Sequence, residues 1–222
     1  IGRGSDIGSE AYVAATIRNI ARASPTLFLN HPTTNEMRSS QCRTIIVVDD
    51  LIGSGRRTQK FLEGIWTDST IRSWSSLKYI RIFVVAFAGT KRGIKRVQKA
   101  GCQPKVAVDR MCPTIYELPW PKSIRQPIDE LCIRYGRRTS KRNFSRGYDK
   151  TMATLVFEHS CPNNVPAILW APTTSNFPWI PIFPGRSVEN TERNVFPPEI
   201  ARRDPVSVLL EVGQKRLSEA VV

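Results

Sequence analysis

One stretch constrains this chain more than any other: five β-favouring residues in a row, Thr44-Ile45-Ile46-Val47-Val48. Polar and apolar residues do not alternate in it, so a strand made of it is expected to be buried on both faces, as in a parallel sheet. Behind it come Asp49-Asp50, Leu51-Ile52 and Gly53-Ser54-Gly55, then a helical pattern over 58–66 with Phe61, Leu62 and Ile65. Two more apolar runs, 79–88 and 105–108, flank a second helical pattern over 90–100 that stops before Gly101, a good C-terminal stop. An earlier amphipathic pattern over 9–23 gathers Ala11, Ala14, Ala15, Ile17, Ile20 and Ala21 on one face. Strands alternating with helices form a βαβ series, so the fold class is α/β: a parallel sheet with helices on both faces.

The pattern changes after Asp109. A helix is expected over 124–135 with Ile128, Leu131 and Cys132 inward, followed by a basic stretch to Asp149. Two strand candidates, 153–158 and 167–170, would form a hairpin, and Asn163-Asn164 would make its turn. A Pro-rich, aromatic coil fills 171–198, and 205–222 reads as a short helix. The expected division is a core over 1–110, an α+β extension over 111–186 and a tail over 187–222. The chain opens at Ile1 inside a Gly-rich turn, so a fragment lacking earlier elements is expected.

Several function classes drop out on composition. Five cysteines, an odd number with no CxxC pair, argue against a disulfide framework and against zinc. Two histidines, His31 and His159, are too few for a metal cluster. No apolar run reaches the roughly 18 residues of a membrane span, so a soluble, cytoplasmic protein is expected. Lys and Arg number 33 against 19 Asp and Glu, a formal charge of +14. Such a surplus favours polyanionic partners, nucleic acid among them; the competing reading is a merely solvated basic surface. The densest run holds Arg134, Arg137, Arg138, Lys141, Arg142 and Arg146.

The loop after the first strand carries chemistry. Ligands of open α/β sheets bind at the carboxyl ends of the strands. Gly53 and Gly55 let the backbone approach a ligand closely, Ser54 adds a hydroxyl, and the helix beginning near Arg56 presents its positive end, which together make a phosphate cradle. Arg56 and Arg57 add charge beside it. Adjacent carboxylates at a strand end need a cation or hydroxyl donors, and a ribose or a Mg²⁺ ion supplies one or the other.

On these residues, Ile45-Ile46-Val47-Val48-Asp49-Asp50-Leu51-Ile52-Gly53-Ser54-Gly55 resembles the phosphoribosyl-diphosphate (PRPP) signature of type I phosphoribosyltransferases. The resemblance implies that fold, with Asp49 and Asp50 on the ribose hydroxyls and holding Mg²⁺ through water. It also implies that Gly53, Ser54, Gly55, Arg56, Arg57 and Thr58 wrap the 5-phosphate. One departure stands out: the family closes this loop with Thr or Ser, and Arg57 occupies that place, with Thr58 one step late. Arg3, Gly4 and Ser5 match the position of the family's diphosphate loop, although a frayed terminus with Ser9 as helix cap explains them equally. The stretch 155–164 with Ile168-Leu169-Trp170 resembles a divergent phosphoribosyltransferase-like family encoded in bacterial conflict and anti-phage loci, some of them retron operons. That resemblance runs from Gly2 to about Arg186 and implies a defence-system partner protein; a homo-oligomer is a further expectation.

Other residues carry two readings each. The segment 30–41 stands where the family's mobile loop would be, yet it has no Lys. Asp109 stands where the resemblance implies groups near the base or the diphosphate, or it caps a turn; Trp120 stacks on a base, or packs. Glu158-His159 and Cys161 invite acid/base or nucleophilic roles, but no third partner is visible, and a structural hairpin explains them better. Two functions follow. One is an enzyme that binds PRPP or a related ribose phosphate with Mg²⁺ and transfers phosphoribose to an unknown base or nucleophile. The other is a non-catalytic module sensing PRPP or a nucleotide, or docking on nucleic acid or a partner.

Overall fold

The structure, a computed structural model, describes residues 31–158, 160–174 and 178–184, with Asn19, Phe28, Leu29 and Arg186. The expected helix over 9–23, the loop candidates Arg3, Gly4 and Ser5, His159 and the tail helix lie outside the described residues. The described residues belong to one compact unit that ends at Arg186.

Three strands, β1 (Thr44–Ile52), β2 (Arg81–Gly89) and β3 (Lys105–Met111), form a parallel sheet in the order β1-β2-β3. Thr44 stands opposite Arg81 and Ile52 opposite Gly89; Phe83 stands opposite Lys105 and Gly89 opposite Met111. Around the sheet run α1 (Thr34–Ser39), α2 (Arg56–Trp66), α3 (Ser69–Ser76), α4 (Lys91–Gln98) and α5 (Lys122–Gly136). The βαβ alternation expected of the core is present, so the α/β class holds. All three strands overrun their expected ends. Asp49 and Asp50 do not terminate β1, because the ladder uses only backbone groups and the Leu51 and Ile52 behind them are buried.

Side chains explain where the helices start. Thr90 caps α4 by accepting from the Gly93 amide, and Asp68 caps α3 by accepting from the Thr70 and Ile71 amides. α2 follows Gly55, whose φ of 74° and ψ of −3° lie in the left-handed region that favours glycine. Ile82, Val84 and Ala86 of β2 pack with Ile52, Leu62, Ile71 and Val97 in the main core. Burial on both faces of the strands is not what β2 shows. Val85 and Phe87 are 40% and 50% exposed, and Ile46 of β1 is 51% exposed. The cause is one-sided packing: α2, α3 and α4 contribute to the core beneath Ile82, Val84 and Ala86, whereas Phe87 meets the Phe157 ring edge-on at 6.0 Å.

The extension folds back onto the strand ends. Leu51 and Ala88 share a second core with Cys112, Ala153, Cys161, Val165, Ala167, Trp170 and Ala171. The expected hairpin of 153–158 and 167–170 does not form. Ala167–Leu169 is a 3₁₀ turn behind Pro166, and Ala153 makes an isolated antiparallel bridge to Thr114. Pro162 and Pro166 lack the amides that a ladder needs, and Trp170 instead donates its indole N–H to the Val165 carbonyl at 3.0 Å. α5 forms, two residues longer at its start and one at its end; Ile128 and Cys132 face inward as expected, but Leu131 is exposed. Among the described residues no helix is long and apolar enough to cross a membrane.

Two glycines give opposite predictions. A Cβ on Gly93 would lie 2.3 Å from the Gly53 carbonyl oxygen and 2.6 Å from that of Ile52, whereas one on Gly64 meets nothing within 4 Å. Gly93→Ala should therefore destabilise the fold by about 1–3 kcal/mol. Gly64→Ala, on the exposed side of α2, should stabilise it by about 0.5–1 kcal/mol. Urea unfolding of the two variants checks both signs.

Candidate functional site

The Gly53–Gly55 turn joins a strand to a helix, and its three preceding carbonyls are all drawn to one side. The Ile52 carbonyl accepts from the Thr90 amide at 3.0 Å. The Gly53 carbonyl accepts from the Thr90 hydroxyl at 2.6 Å, and the Ser54 carbonyl from Arg96 at 2.6 Å. A peptide that sends its oxygen one way sends the next N–H the other. Among the described residues the amides of Ser54, Gly55 and Thr58 take no partner, and the Arg56 amide makes only a long 3.4 Å bond to the Ser54 hydroxyl. The turn is thus not absorbed into the helix, and these amides stay open at its N-terminal end.

These residues line a cavity of about 830 Å³, together with Asp49, Asp50, Leu51, Tyr148, Ser160, Asn163, Asn164 and Arg186. The glycines are needed for close packing as much as for ligand space. A Cβ on Gly55 would lie 2.5 Å from the Gly93 carbonyl oxygen, and one on Gly53 would lie 2.2 Å from Asn164 Oδ1. A side chain at Gly55 would strike the α4 backbone and sit in a left-handed conformation that L residues rarely adopt.

The acid pair is enclosed. Asp49 is 6% and Asp50 8% exposed. Arg57 donates to Asp49 Oδ1 and Thr58 to Asp49 Oδ2, both at 2.8 Å, and Arg57 also lies 3.8 Å from Asp50. Burial pushes the Asp49 carboxyl up to about 6; the Arg57 charge and the Thr58 hydrogen bond oppose this, and Asp50 adds to it. The Arg57 and Thr58 side chains therefore both engage Asp49. A cation is what two adjacent buried acids require, and Arg57 supplies it.

Arg56 is also engaged by a carboxylate. Its Nε lies 3.1 Å from Asp149, which also takes Arg96 at 2.7 Å and a contact from Arg92. Burial alone would raise Asp149, but hydrogen bonds from Arg96 and Arg56 and the Arg92 charge outweigh it and hold the carboxyl at about 2. Asp149 belongs to the extension, so the extension is stapled to α2 and α4 beside the loop. Asn164 completes the wall, donating to the Thr151 hydroxyl at 3.1 Å and the Tyr148 carbonyl at 3.4 Å.

Of the expected ribose-phosphate residues, Asp49, Asp50, Gly53, Ser54, Gly55, Arg56, Arg57 and Thr58 all line the one cavity. Asp109 and Trp120 do not; Asp109 is within β3, paired with its neighbour Arg110. The segment before β1 holds the short helix α1, closed by a capping box between Thr33 and Glu36. Cys161 is 2% exposed and its thiol is pushed by burial up to about 12, which removes it as a nucleophile. All five cysteines are free, and no group of three or more metal-ligating His, Cys, Asp or Glu side chains occurs among the described residues. Sequence reading missed Thr90, Gly93, Tyr148, Asn164 and Asp149. Only Thr90 and Gly93 left a signal, a Thr cap with Gly three residues on.

The model of the PRTase-CE family, a phosphoribosyltransferase-like family, matches residues 2–184. The chain belongs to that family, and its α/β sheet, acid pair and glycine turn lie within the matched region. No curated protein and no solved structure matches the chain.

Two pH windows follow from the carboxylates. Asp149 is held below its ordinary 3.8, so the stability it contributes is present above about 4 and is lost as pH falls towards about 2. Asp49 is held above 3.8, so the folded state binds its proton more tightly, and stability falls as pH rises from about 4 to about 6. Chemical unfolding across pH should show both slopes. Asp149→Asn should flatten the lower one and Asp49→Asn the upper one, each leaving the other in place.

Proposed function

We propose that the cavity binds the ribose 5-phosphate part of PRPP and that the protein transfers phosphoribose to a nucleophile. The observation that supports this most is the pair of unpartnered amides at Ser54 and Gly55, turned from the carbonyl side of the loop and next to a buried acid pair. Phosphate suits the amides and the positive end of α2. Ribose hydroxyls suit the acids, because a carboxylate has about four acceptor positions and Asp49 keeps capacity beyond Arg57, Thr58 and the Asp50 amide.

The proposed chemistry breaks the bond from C1 of the ribose to diphosphate, with oxocarbenium character, as the acceptor's lone pair bonds to C1. The chain's part is to hold the ribose phosphate, set the Arg57 charge against Asp49, and exclude water with the wall of Tyr148, Asn163 and Asn164. Mg²⁺, when bound, would neutralise the leaving diphosphate. Asp49 and Asp50 would hold it through water, because Arg57 and Thr58 already occupy Asp49 at hydrogen-bond distance. The expected setting is the bacterial conflict systems that the 155–170 stretch resembles.

A second reading has its own support. Arg57 stands where the signature carries a hydroxyl residue and already neutralises Asp49, which favours a module that binds PRPP or a nucleotide without turnover. Incubation with PRPP, Mg²⁺ and a pool of bases separates the two. Diphosphate release favours transfer, saturable binding without release favours the sensor, and absence of binding overturns both. In calorimetry, replacing Asp49 and Asp50 together by Asn should weaken binding of ribose 5-phosphate at least tenfold, about 1.4 kcal/mol. Unchanged affinity would remove the acids from the site.

A further inference from the structure

We propose that the groove between α2 and α4 is a docking track for the phosphodiester backbone of a nucleic-acid strand. Arg92, Lys95, Arg96 and Lys99 recur at the i, i+3, i+4, i+7 spacing that puts side chains on one helix face. With Gln59 of α2 they line a groove of about 350 Å³. Seven residues of helix rise about 10 Å, long enough for the face to meet more than one phosphate of a strand. Among the described residues, one carboxylate, Asp149, pairs with this face, and it is shared between Arg92, Arg96 and Arg56. Lys95 and Lys99 are exposed and make no ion pair among the described residues.

The lining decides what kind of polyanion fits. A membrane-binding face needs Trp, Phe or Leu among its cations, and a protein interface centres on aromatic and apolar anchors. Neither is present here: the lining is four cations and an amide. Cations without interleaved rings contact backbone phosphates and do not read bases, so binding should be sequence-independent. Gln59 lines both this groove and the phosphate-loop cavity, so a strand held here lies beside that cavity. The run 134–146 is the competing basic surface, with Arg137, Lys141 and Arg142 exposed. Arg146 is paired with Asp129, and Arg134 and Arg138 lie over the Tyr135 ring.

Fluorescence anisotropy with a labelled oligothymidylate, titrated against salt, tests the track. The parent should bind with a steep salt dependence. Lys95→Glu with Lys99→Glu should weaken binding at least tenfold at low salt and reduce the slope of log affinity on log salt by about 1–1.5, at ~0.7 per phosphate on a single strand. Arg137→Glu with Arg138→Glu should leave both close to the parent. Absence of binding by the parent at low salt, or an α4 variant that binds like the parent, overturns the proposal. So does polyglutamate competing as well as the oligonucleotide at equal charge. Ribose 5-phosphate affinity, measured by calorimetry on the same variants, should not change at Lys95 and Lys99. If the parent binds the strand but no ribose phosphate, the track stands and the loop reading falls.

Discussion

The hydrogen bonds that tie the Ile52, Gly53 and Ser54 carbonyls to the β2–α4 junction hold the site in shape. A strand that turns sharply into a helix must satisfy its last carbonyls, and here Thr90 takes two of them while Arg96 takes the third. Because Thr90 also caps α4 through the Gly93 amide, the start of α4 and the loop after β1 lock each other. That lock requires backbone-to-backbone approach, which is why Gly93 and Gly55 cannot carry a Cβ without moving backbone atoms. The unpartnered amides on the other side are a consequence of this arrangement. They are directed by bonds made elsewhere, which is the form of preorganisation a phosphate site needs.

Charge is distributed with the same logic. In a chain of net charge +14, the acids near the loop are each surrounded by cations in different ways. Asp49 is buried and must share Arg57 with Asp50, so its proton is held tightly. Asp149 is met by three arginines and is held ionised far into acid. One acid lies beneath the cavity and the other staples the extension to α2 and α4. The extension is thus part of the site: Asn164 lies against Gly53, and Tyr148 and Asn163 add to the same wall.

Much of the core was legible in the sequence, because the apolar runs of β1, β2 and β3 and the periodic patterns of α2, α4 and α5 are local signals. The loop was legible as well, since acids, glycines and helix start follow one another in order. What escaped notice depends on distant partners. Nothing local to Arg56 and Arg57 says that they will pair with Asp149 and Asp49. The 153–170 segment has the apolar content of strands, yet its prolines and the indole bond of Trp170 settle it as turns. The expectation of two buried faces failed at Val85 and Phe87 because apolar content alone does not report what packs above a strand.

A crystal structure of the protein with ribose 5-phosphate tests the central claim most directly. The account predicts the phosphate within hydrogen-bond distance of the Ser54 and Gly55 amides, with the ribose hydroxyls on Asp49 and Asp50. A phosphate seated instead on the α4 cations, with the loop amides untouched, would contradict it.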